Sequence, residues 1–481
     1  MKRLVLILSL AAPAAFAQTT LSPALKTFVH YQAPVIALEH VRVIDGTGAA
    51  AREDQTLVIR GKKILALGPS GTTQVPAGAR RLDLTGRSVF PGLVDMHDHL
   101  FYTAAPAEGM ESAEDLSLFS EAAGSYPALF LAAGVTRVRT AGAVEPFTDL
   151  ELRRAIEAGE VPGPKLDVTG PFLEGPGGYS LQMHALKDTN DARAMVNYWA
   201  DQGVTSVKAY MDIDRAELKA SAEAAHQRKL KLAAHVCAVT FREATDAGVD
   251  SIEHGISWSS DFVPDKKPDL CPGIMAINSS LSQLTIQSEP VQALIRYMVD
   301  HKVALTSTLP VVEAYTPGRP GPSRLVLEAL APQAQMACFS ARERMNRTGQ
   351  GMATPHILRL EMDFDYAFAK AGGLLLAGAD SVGPGLIAGF GMQREVELLV
   401  EAGFTPLEAI KTATYNGALF LGEQDSIGTI APGKSADVVV VKGDPARNIS
   451  DIEKVEIVFK DGIGYDPAKL RDSVQGMVGI Q

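Results

Sequence analysis

Short apolar segments alternate with segments of helical periodicity through the middle of the chain, from about residue 90 to residue 422. The predicted strands are residues 92–99, 135–141, 165–170, 206–210, 231–236, 251–254, 303–309 and 374–380. The clearest predicted helices are residues 191–202, 215–227, 240–247 and 364–371. Eight strands alternating with helices predict an α/β fold, a (β/α)8 TIM barrel with insertions. An open doubly wound sheet is disfavoured because no glycine-rich dinucleotide fingerprint follows the first strand.

Both ends of the chain are rich in short β-like segments separated by turns. The β-like segment 41–44 leads into a turn at 45–48, and near the other end of the chain residues 436–441 form a similar β-like segment. This pattern predicts one small sheet domain assembled from residues 34–89 and 423–465, beside a barrel formed by residues 90–422.

The first residues have the three parts of a secretory signal peptide. Lys2 and Arg3 give a basic start, the apolar run 4–16 follows, and an Ala-x-Ala site ends at Ala17. We therefore expect cleavage after Ala17 and an exported protein, periplasmic or secreted, in a bacterium. The alternative is an N-terminal membrane anchor, but the run is too short to span a bilayer comfortably, so no stable anchor is expected.

The composition excludes several classes of protein. In 481 residues, 45 Lys and Arg against 56 Asp and Glu give a formal net charge of −11, which argues against nucleic acid as the main partner. A hydrophobic content of 46% excludes wholesale disorder. Cys237, Cys271 and Cys338 are too few and too scattered for a disulfide framework, so we expect free thiols and at most one disulfide, with Cys237 serving only to pack.

Potential metal ligands stand at the ends of several predicted strands. His97 and His99 are two residues apart in the first strand, so their side chains point to the same side. His235 and His254 end the fifth and sixth strands, and Asp380 ends the eighth. Because barrel enzymes place their active sites at the carboxyl ends of the strands, this arrangement predicts a metal site.

A lysine inside the fourth predicted strand requires an explanation. Lys208 lies in the apolar segment 204–210, where a lone ammonium group is expensive to bury. One explanation is that Lys208 reacts with carbon dioxide to form a carbamate that bridges two metal ions; the other is a salt bridge to a carboxylate of the barrel. Tyr210 faces the same side by alternation and either contacts the substrate or packs in the core.

The segment 91–99, PGLVDMHDH, resembles the opening motif of the metal-dependent amidohydrolase superfamily. Further similar motifs are residues 134–139, 161–165, Lys208, His235, 251–255, Asp380, 395–403 and 427–434. The pattern is most similar to the imidazolonepropionase-like and Xaa-Pro dipeptidase-like branch, which includes ochratoxin-hydrolysing amidohydrolases. The resemblance covers essentially the whole mature chain and implies a barrel flanked by a small β-sandwich built from both ends.

The resemblance also implies a ligand set: His97, His99, Lys208, His235, His254 and Asp380. Two divalent metal ions are expected, zinc first among them, with carbon dioxide as the carbamate that makes Lys208 an N6-carboxylysine. Asp380 would serve as both ligand and catalytic base. The family is also expected to form homo-oligomers.

Three features depart from the family pattern or fall outside it. Asp98, between the two histidines, places a charge where an apolar residue is common, and by alternation it should face away from the metals. His184 stands roughly where the family offers a histidine that contacts the substrate. The loops 259–289 and 310–355 match no pattern, so they leave the substrate undefined.

These observations predict an exported binuclear amidohydrolase that cleaves an amide bond of an N-acyl amino acid or dipeptide, Xaa-Pro-like or ochratoxin-type, through a metal-bridging hydroxide. The expected partner is therefore a small-molecule substrate. Two alternatives are a hydrolase of cyclic amides or lactones in the same superfamily and a non-catalytic exported metal-binding protein. The complete set of ligand candidates disfavours the non-catalytic alternative. Export disfavours imidazolonepropionase itself, a cytoplasmic activity.

Overall fold

The computed structural model describes residues 21–104, 118–178, 180 and 182–479. The expected signal peptide, residues 1–17, lies outside the described residues. The strands are β1 (Val29–Tyr31), β2 (Val35–Val43), β3 (Arg52–Arg60), β4 (Lys63–Pro69), β5 (Arg80–Asp83), β6 (Arg87–Pro91), β7 (Leu93–Asp98), β8 (Phe101–Ala104), β9 (Leu118–Glu121), β10 (Val135–Thr140), β11 (Lys165–Asp167), β12 (Thr169–Leu173), β13 (Ser206–Ala209), β14 (Lys231–Ala234), β15 (Ser251–Glu253), β16 (Ala304–Ser307), β17 (Leu375–Ala377), β18 (Val438–Lys442), β19 (Val455–Lys460) and β20 (Ile463–Tyr465).

The helices are α1 (Pro23–Lys26), α2 (Tyr126–Ala132), α3 (Pro146–Glu157), α4 (Thr189–Gln202), α5 (Arg215–Gln227), α6 (Phe241–Ala247), α7 (Ile274–Leu281), α8 (Glu289–Asp300), α9 (Leu309–Ala314), α10 (Arg324–Ala329), α11 (Pro332–Thr348), α12 (Pro355–Lys370), α13 (Phe390–Ala402), α14 (Pro406–Lys411), α15 (Gly417–Phe420) and α16 (Pro467–Asp472). A π-helical turn at Thr412–Asn416 joins α14 to α15. Within the described part of the chain, no helix has the length and apolar character that a membrane crossing requires.

Strands from both ends of the chain form one nine-stranded sheet, in the order β1-β20-β19-β18-β6-β2-β3-β4, with β5 paired to β2. The valine run of β18 contributes to two separate cores. Val438 and Val440 pack in a cluster inside this sheet, whereas Val439 and Val441 pack with the core of the middle of the chain. Both faces of β18 are therefore buried, which explains why the run is continuously apolar rather than alternating.

The middle of the chain contains two parallel sheets, β11-β10-β7 and β12-β13-β14-β15-β16-β17. The third predicted strand divides at Val168: β11 pairs with β10, and β12 pairs with β13. The remaining edge strands of the two sheets are β7 and β17. They are linked where they end, because the backbone N–H of Asp380, after β17, donates to the carbonyl of His97 in β7 at 2.8 Å. The mixed α/β fold with parallel strands is thus confirmed, and closure of these sheets into one barrel stays a prediction.

Local sequence signals explain most of the helix boundaries. Helix α5 begins with a capping box in which the Asp214 side chain accepts from the N–H of Glu217 and the Glu217 carboxylate accepts from the N–H of Asp214. Helices α4 and α6 end at Gly203 and Gly248, whose φ angles of 95° and 93° suit a residue without Cβ.

Several predicted elements have different bounds in the structure; the strand predicted at 374–380, for example, is β17, Leu375–Ala377. Helix α12 begins at Pro355 rather than at residue 364, because the Thr354 hydroxyl caps it and proline is favourable at the first helical position. The strand predicted at 303–309 ends at Ser307, because Pro310 lies in the first turn of α9.

The structure contains a disulfide between Cys237 and Cys271, which are 34 residues apart in sequence. The interpretation of Cys237 as a packing residue was therefore wrong, because the loop after β15 brings Cys271 to it. Cys338 is a buried free thiol.

Candidate metal centre

The ends of the first and last parallel strands bring two histidines and one carboxylate together. His97 lies in β7, His99 directly follows β7, and Asp380 follows β17. The Oδ1 atom of Asp380 is 3.3 Å from Nε2 of His99 and 3.8 Å from Nε2 of His97. All three side chains are buried, and their ligand atoms lie within 4.8 Å of one another. The three residues therefore form a candidate metal site.

Two further histidines adjoin this group. Nδ1 of His254 is 3.6 Å from Oδ2 of Asp380, and the His254 ring is 4.4 Å from that of His97. The ring of His235 is 4.2 Å from that of His254. Burial lowers the pKa of His97, His235 and His254 well below the usual value. The imidazoles are thus neutral, which is the form that binds a metal ion.

The side chain of Lys208 is enclosed at the centre of the same group. It lies in β13, is 1% exposed, and its Nζ has no hydrogen-bond partner among the described residues. Burial lowers the pKa of Lys208 to about 8, so a neutral amine, the form that can react with carbon dioxide, is accessible. The described residues also place no carboxylate within salt-bridge distance of Nζ. Nε2 of His235 is likewise buried and has no hydrogen-bond partner among the described residues. Because buried polar atoms are normally paired, these two nitrogen atoms fit a site that binds a metal ion.

Two of the candidate ligands have a left-handed backbone. The φ angles are 70° at His254 and 47° at Asp380, a region that residues with a Cβ rarely adopt. The turn after His254 is fixed by Glu361, whose Oε2 accepts from the N–H of Ser257 at 2.6 Å. Gly255 also has a positive φ, and a Cβ there would collide with Oε1 of Glu361, so the turn requires glycine.

A buried ion pair lies behind His97. Both oxygens of Glu253 accept from Nη2 of Arg139, at 2.9 and 3.0 Å, and the Ser251 hydroxyl donates to Oε1 at 2.7 Å. Burial alone would raise the pKa of Glu253, but the guanidinium of Arg139 holds it below the usual value. Nδ1 of His97 therefore faces a carboxylate anion, which leaves Nε2 of His97 directed to the ligand cluster.

Sequence reasoning missed both Glu253 and Arg139. The signal that could have revealed them is that each places a charge inside a predicted strand of the middle of the chain, as Lys208 does. Their pairing needs the three-dimensional fold, because 114 residues separate them.

Asp98 faces away from the ligand cluster, as expected from alternation. Its carboxylate accepts from the hydroxyl of Ser381 at 2.8 Å and from the backbone N–H of His99 at 2.8 Å. Burial raises the pKa of Asp98 to about 6. Asp98 thus links the end of β7 to the segment that carries Asp380.

The two candidate substrate-contacting residues lie in different surroundings. The ring of Tyr210 is 4.9 Å from that of His235 and 4.7 Å from that of Phe172, so Tyr210 adjoins the candidate ligands. His184 is exposed, and its Nε2 bonds Oδ2 of Asp191 at 2.9 Å. The structure therefore brings Tyr210, but not His184, into direct contact with the cluster, and a substrate role for either residue stays a prediction.

Aromatic side chains surround the cluster on two sides. Phe101 stacks on His99 with ring centroids 4.5 Å apart, and Phe119 packs on Phe101 at the same distance. On the other side Trp258 lies 4.7 Å from the ring of His235. Sequence reasoning did not identify Trp258, which ends the short helical turn Gly255–Trp258 just before one of the loops that matched no pattern.

Comparison with known proteins agrees with this geometry. Residues 367–463 match the amidohydrolase family. The imidazolonepropionase of Stenotrophomonas maltophilia (strain R551-3) is 33% identical over 72 residues, which are 15% of this chain and 18% of that protein. The match thus spans less than a fifth of that relative.

Two solved structures share the fold along nearly the whole chain. A Xaa-Pro dipeptidase with methionine bound in its active site has a TM-score of 0.64 and 21% identity, over 90% of this chain and 100% of that one. The ochratoxinase of A. niger has a TM-score of 0.59 and 19% identity, over 91% of this chain and 96% of that one. The fold is that of these hydrolases. The resemblance inferred from the sequence is confirmed by the match of residues 367–463 to the amidohydrolase family.

Proposed function

We propose that this protein is an exported, binuclear metal-dependent hydrolase that cleaves the amide bond of an N-acyl amino acid or a dipeptide. One observation carries the proposal: four imidazoles, one carboxylate and an unpartnered lysine meet where the strands of the two parallel sheets end. Such a donor set suits two zinc ions, which prefer nitrogen and oxygen ligands of this kind.

The proposed division of ligands is the one that the family resemblance implies, and the grouping of His97, His99 and Asp380 supports its first part. These three residues would hold one ion, His235 and His254 would hold the second, and Lys208, as its carbamate, would bind both. When bound, the two ions would lower the pKa of a shared water enough to supply hydroxide near neutral pH. Asp380 accepts the proton of the attacking water and passes it to the departing amine. Both oxygens of Asp380 face imidazoles of the cluster, so either can act.

The substrate class rests on the names of the solved relatives and on the aromatic surroundings of the site. A Xaa-Pro dipeptidase and an ochratoxinase share the fold, which supports a dipeptide or an ochratoxin-type amide as substrate. A cyclic amide or a lactone is the second candidate, since the same site would attack either carbonyl. The proposal includes closure of the parallel strands of residues 90–422 into a barrel, beside a small β-sandwich formed by residues 34–89 and 423–465.

Export is supported by two independent features. The first 17 residues have the pattern of a signal peptide, and the Cys237–Cys271 disulfide is of the kind that persists in oxidising compartments. A homo-oligomer is proposed from the family resemblance.

The test combines metal analysis with a hydrolysis panel. Mature protein should contain two divalent ions per chain and hydrolyse at least one of four groups: Xaa-Pro dipeptides, N-acyl aromatic amino acids including ochratoxin A, cyclic amides, and lactones. His254→Asn should lose metal and activity, whereas the matched change His226→Asn, on the exposed face of α5, should lose neither. Two bound ions without turnover of any compound would favour a metal-binding protein.

A further inference from the structure

A small cavity adjoins the candidate metal centre, with a volume of about 30 Å³, or about 310 Å³ when the space open to solvent is counted. Trp258 connects the two, because its ring lines the cavity and lies 4.7 Å from the ring of His235 and 6.2 Å from that of His254. A substrate group next to a carbonyl at the ligand cluster would therefore lie near Trp258, which also lines this cavity.

The walls of the cavity are predominantly apolar. Val311 and Val312 of α9 form one side, Ile274 at the start of α7 forms another, and Ile357 of α12 closes it. None of the side chains that line it carries a formal charge. An ionised group entering this cavity would lose its hydration, and the uncharged polar groups of Ser257, Asn278 and Tyr315 would replace only part of it. An apolar group would gain free energy from burial.

The cavity is held in place by covalent and secondary structure. Ile274 follows Cys271 by three residues, and the disulfide from Cys271 to Cys237 ties this segment to the chain just beyond His235. Helix α9 directly follows β16, one of the parallel strands. The cavity and the ligand cluster are thus anchored to the same framework.

We propose that this cavity is a specificity subsite that binds an uncharged, apolar group of the substrate on one side of the scissile amide bond. The inference rests on the proposed function for the identity of the ligand, and it deepens that function by naming one part of the substrate. Its occupant is an aliphatic or aromatic side chain or acyl chain without a charge at its end.

The first test measures binding without turnover. The chain has two tryptophans, so Trp199→Phe leaves Trp258 as the only indole reporter. Ethanol, 1-butanol and 1-hexanol serve as probes that the enzyme cannot hydrolyse, with hexanoate and hexylammonium as charged counterparts. Trp258 emission should report about fourfold tighter binding for each added methylene, and much weaker binding of both ions.

Two neighbouring substitutions separate the cavity from the surface. In the Trp199→Phe background, Ile274→Phe should fill the cavity and abolish the dependence on chain length, while Met275→Phe, at a side chain that is 79% exposed, should leave it unchanged. Ile357→Ala should enlarge the cavity and favour longer probes. Affinities that do not rise with chain length, or that Ile274→Phe leaves unaltered, contradict the proposal.

The second test uses turnover and distinguishes this inference from the proposed function. Two series of amides vary the acyl group or the amine group, and kcat/KM should rise with apolar length in one series only. If the alcohols bind as expected and no amide is hydrolysed, the cavity assignment stands and the proposed function fails. If amides are hydrolysed at rates independent of both groups, the cavity assignment fails and the proposed function stands.

Discussion

The Glu253 carboxylate lies 2.5 Å from Nδ1 of His97, and both side chains are buried. Arg139 binds the same carboxylate and also donates from Nε to the carbonyl of Met96 at 2.7 Å. The orientation of the His97 ring is thus set by an ion pair that joins β7, β10 and β15. Partners of this kind fix the tautomer of a ligating histidine and raise its basicity.

Glu253→Gln should weaken metal binding by about 10- to 100-fold, because the amide cannot supply the negative charge that Nδ1 of His97 faces. Competition with a chelator measures the affinity directly, without reference to activity. Glu289→Gln, at an exposed side chain, is the control. Unchanged affinity in a folded Glu253→Gln protein would show that Glu253 does not support His97.

Asp380→Asn should lower kcat by about 10² to 10⁴, the usual contribution of a general acid–base group, while retaining much of the metal. The amide can still offer an oxygen but cannot accept the proton of the attacking water. Metal content and turnover are measured on the same sample. Asp363→Asn, on the outer part of α12, should behave as wild type. Full activity in Asp380→Asn would remove the proposed base.

Lys208→Ala should reduce the metal content from two ions per chain to one, because the bridging carbamate cannot form. Labelled bicarbonate should give a carbamate ¹³C signal in the wild-type protein and none in the variant. Lys231→Ala, at a partly exposed lysine of the neighbouring strand β14, provides the matched control. A variant that still binds two ions, or a wild-type protein without the signal, refutes the carbamate.

Reduction of the Cys237–Cys271 disulfide, or Cys271→Ser, should destabilise the protein by about 2–4 kcal/mol, because the bond closes a loop of moderate length. Urea unfolding with and without reductant measures the difference, and peptide mapping confirms the pairing. Cys338→Ala should leave the sensitivity to reductant intact. Identical unfolding midpoints under both conditions would argue against a formed disulfide.

Gly255→Ala should destabilise the turn that carries His254 by more than about 1 kcal/mol, the backbone cost of a left-handed residue with a Cβ. Gly372→Ala is the control, because Gly372 also has a positive φ but has no atom within 4 Å of its Cβ position. Only Gly255→Ala adds a clash with Glu361 to the backbone strain. Thermal unfolding of the two variants separates strain from collision. Equal losses of stability would mean that Glu361 simply moves aside.

Much of the fold followed from the sequence, because alternation of strands and helices is a local pattern. The six ligand candidates were found for the same reason: each stands at or near the end of a recognisable apolar strand. The prediction that His97 and His99 lie on one side rests only on the two-residue period of a strand. The prediction for Lys208 rests only on the free-energy cost of burying an ammonium group.

The remaining parts of the site depend on contacts between distant segments. No local sequence pattern indicates that Arg139 pairs with Glu253, because the contact forms only when β10 and β15 come together in the fold. Likewise, no local pattern indicates that Cys271 pairs with Cys237. The cavity beside Trp258 is lined from α7, α9 and α12, and only the packing of these separate helices brings its walls together. The early start of α12 at Pro355 was readable from its capping threonine, and that signal was overlooked.

The pairing of β18 with β6 also has a consequence for synthesis. Val438 pairs with Pro91, so the strands near the beginning of the chain acquire their central neighbour only after nearly all of it has been translated. The sheet of the nascent chain therefore lacks β18 while the ribosome synthesises the parallel strands that lie between β6 and β18 in sequence. Under the proposed export, this delay would favour crossing of the membrane before the sheet is complete.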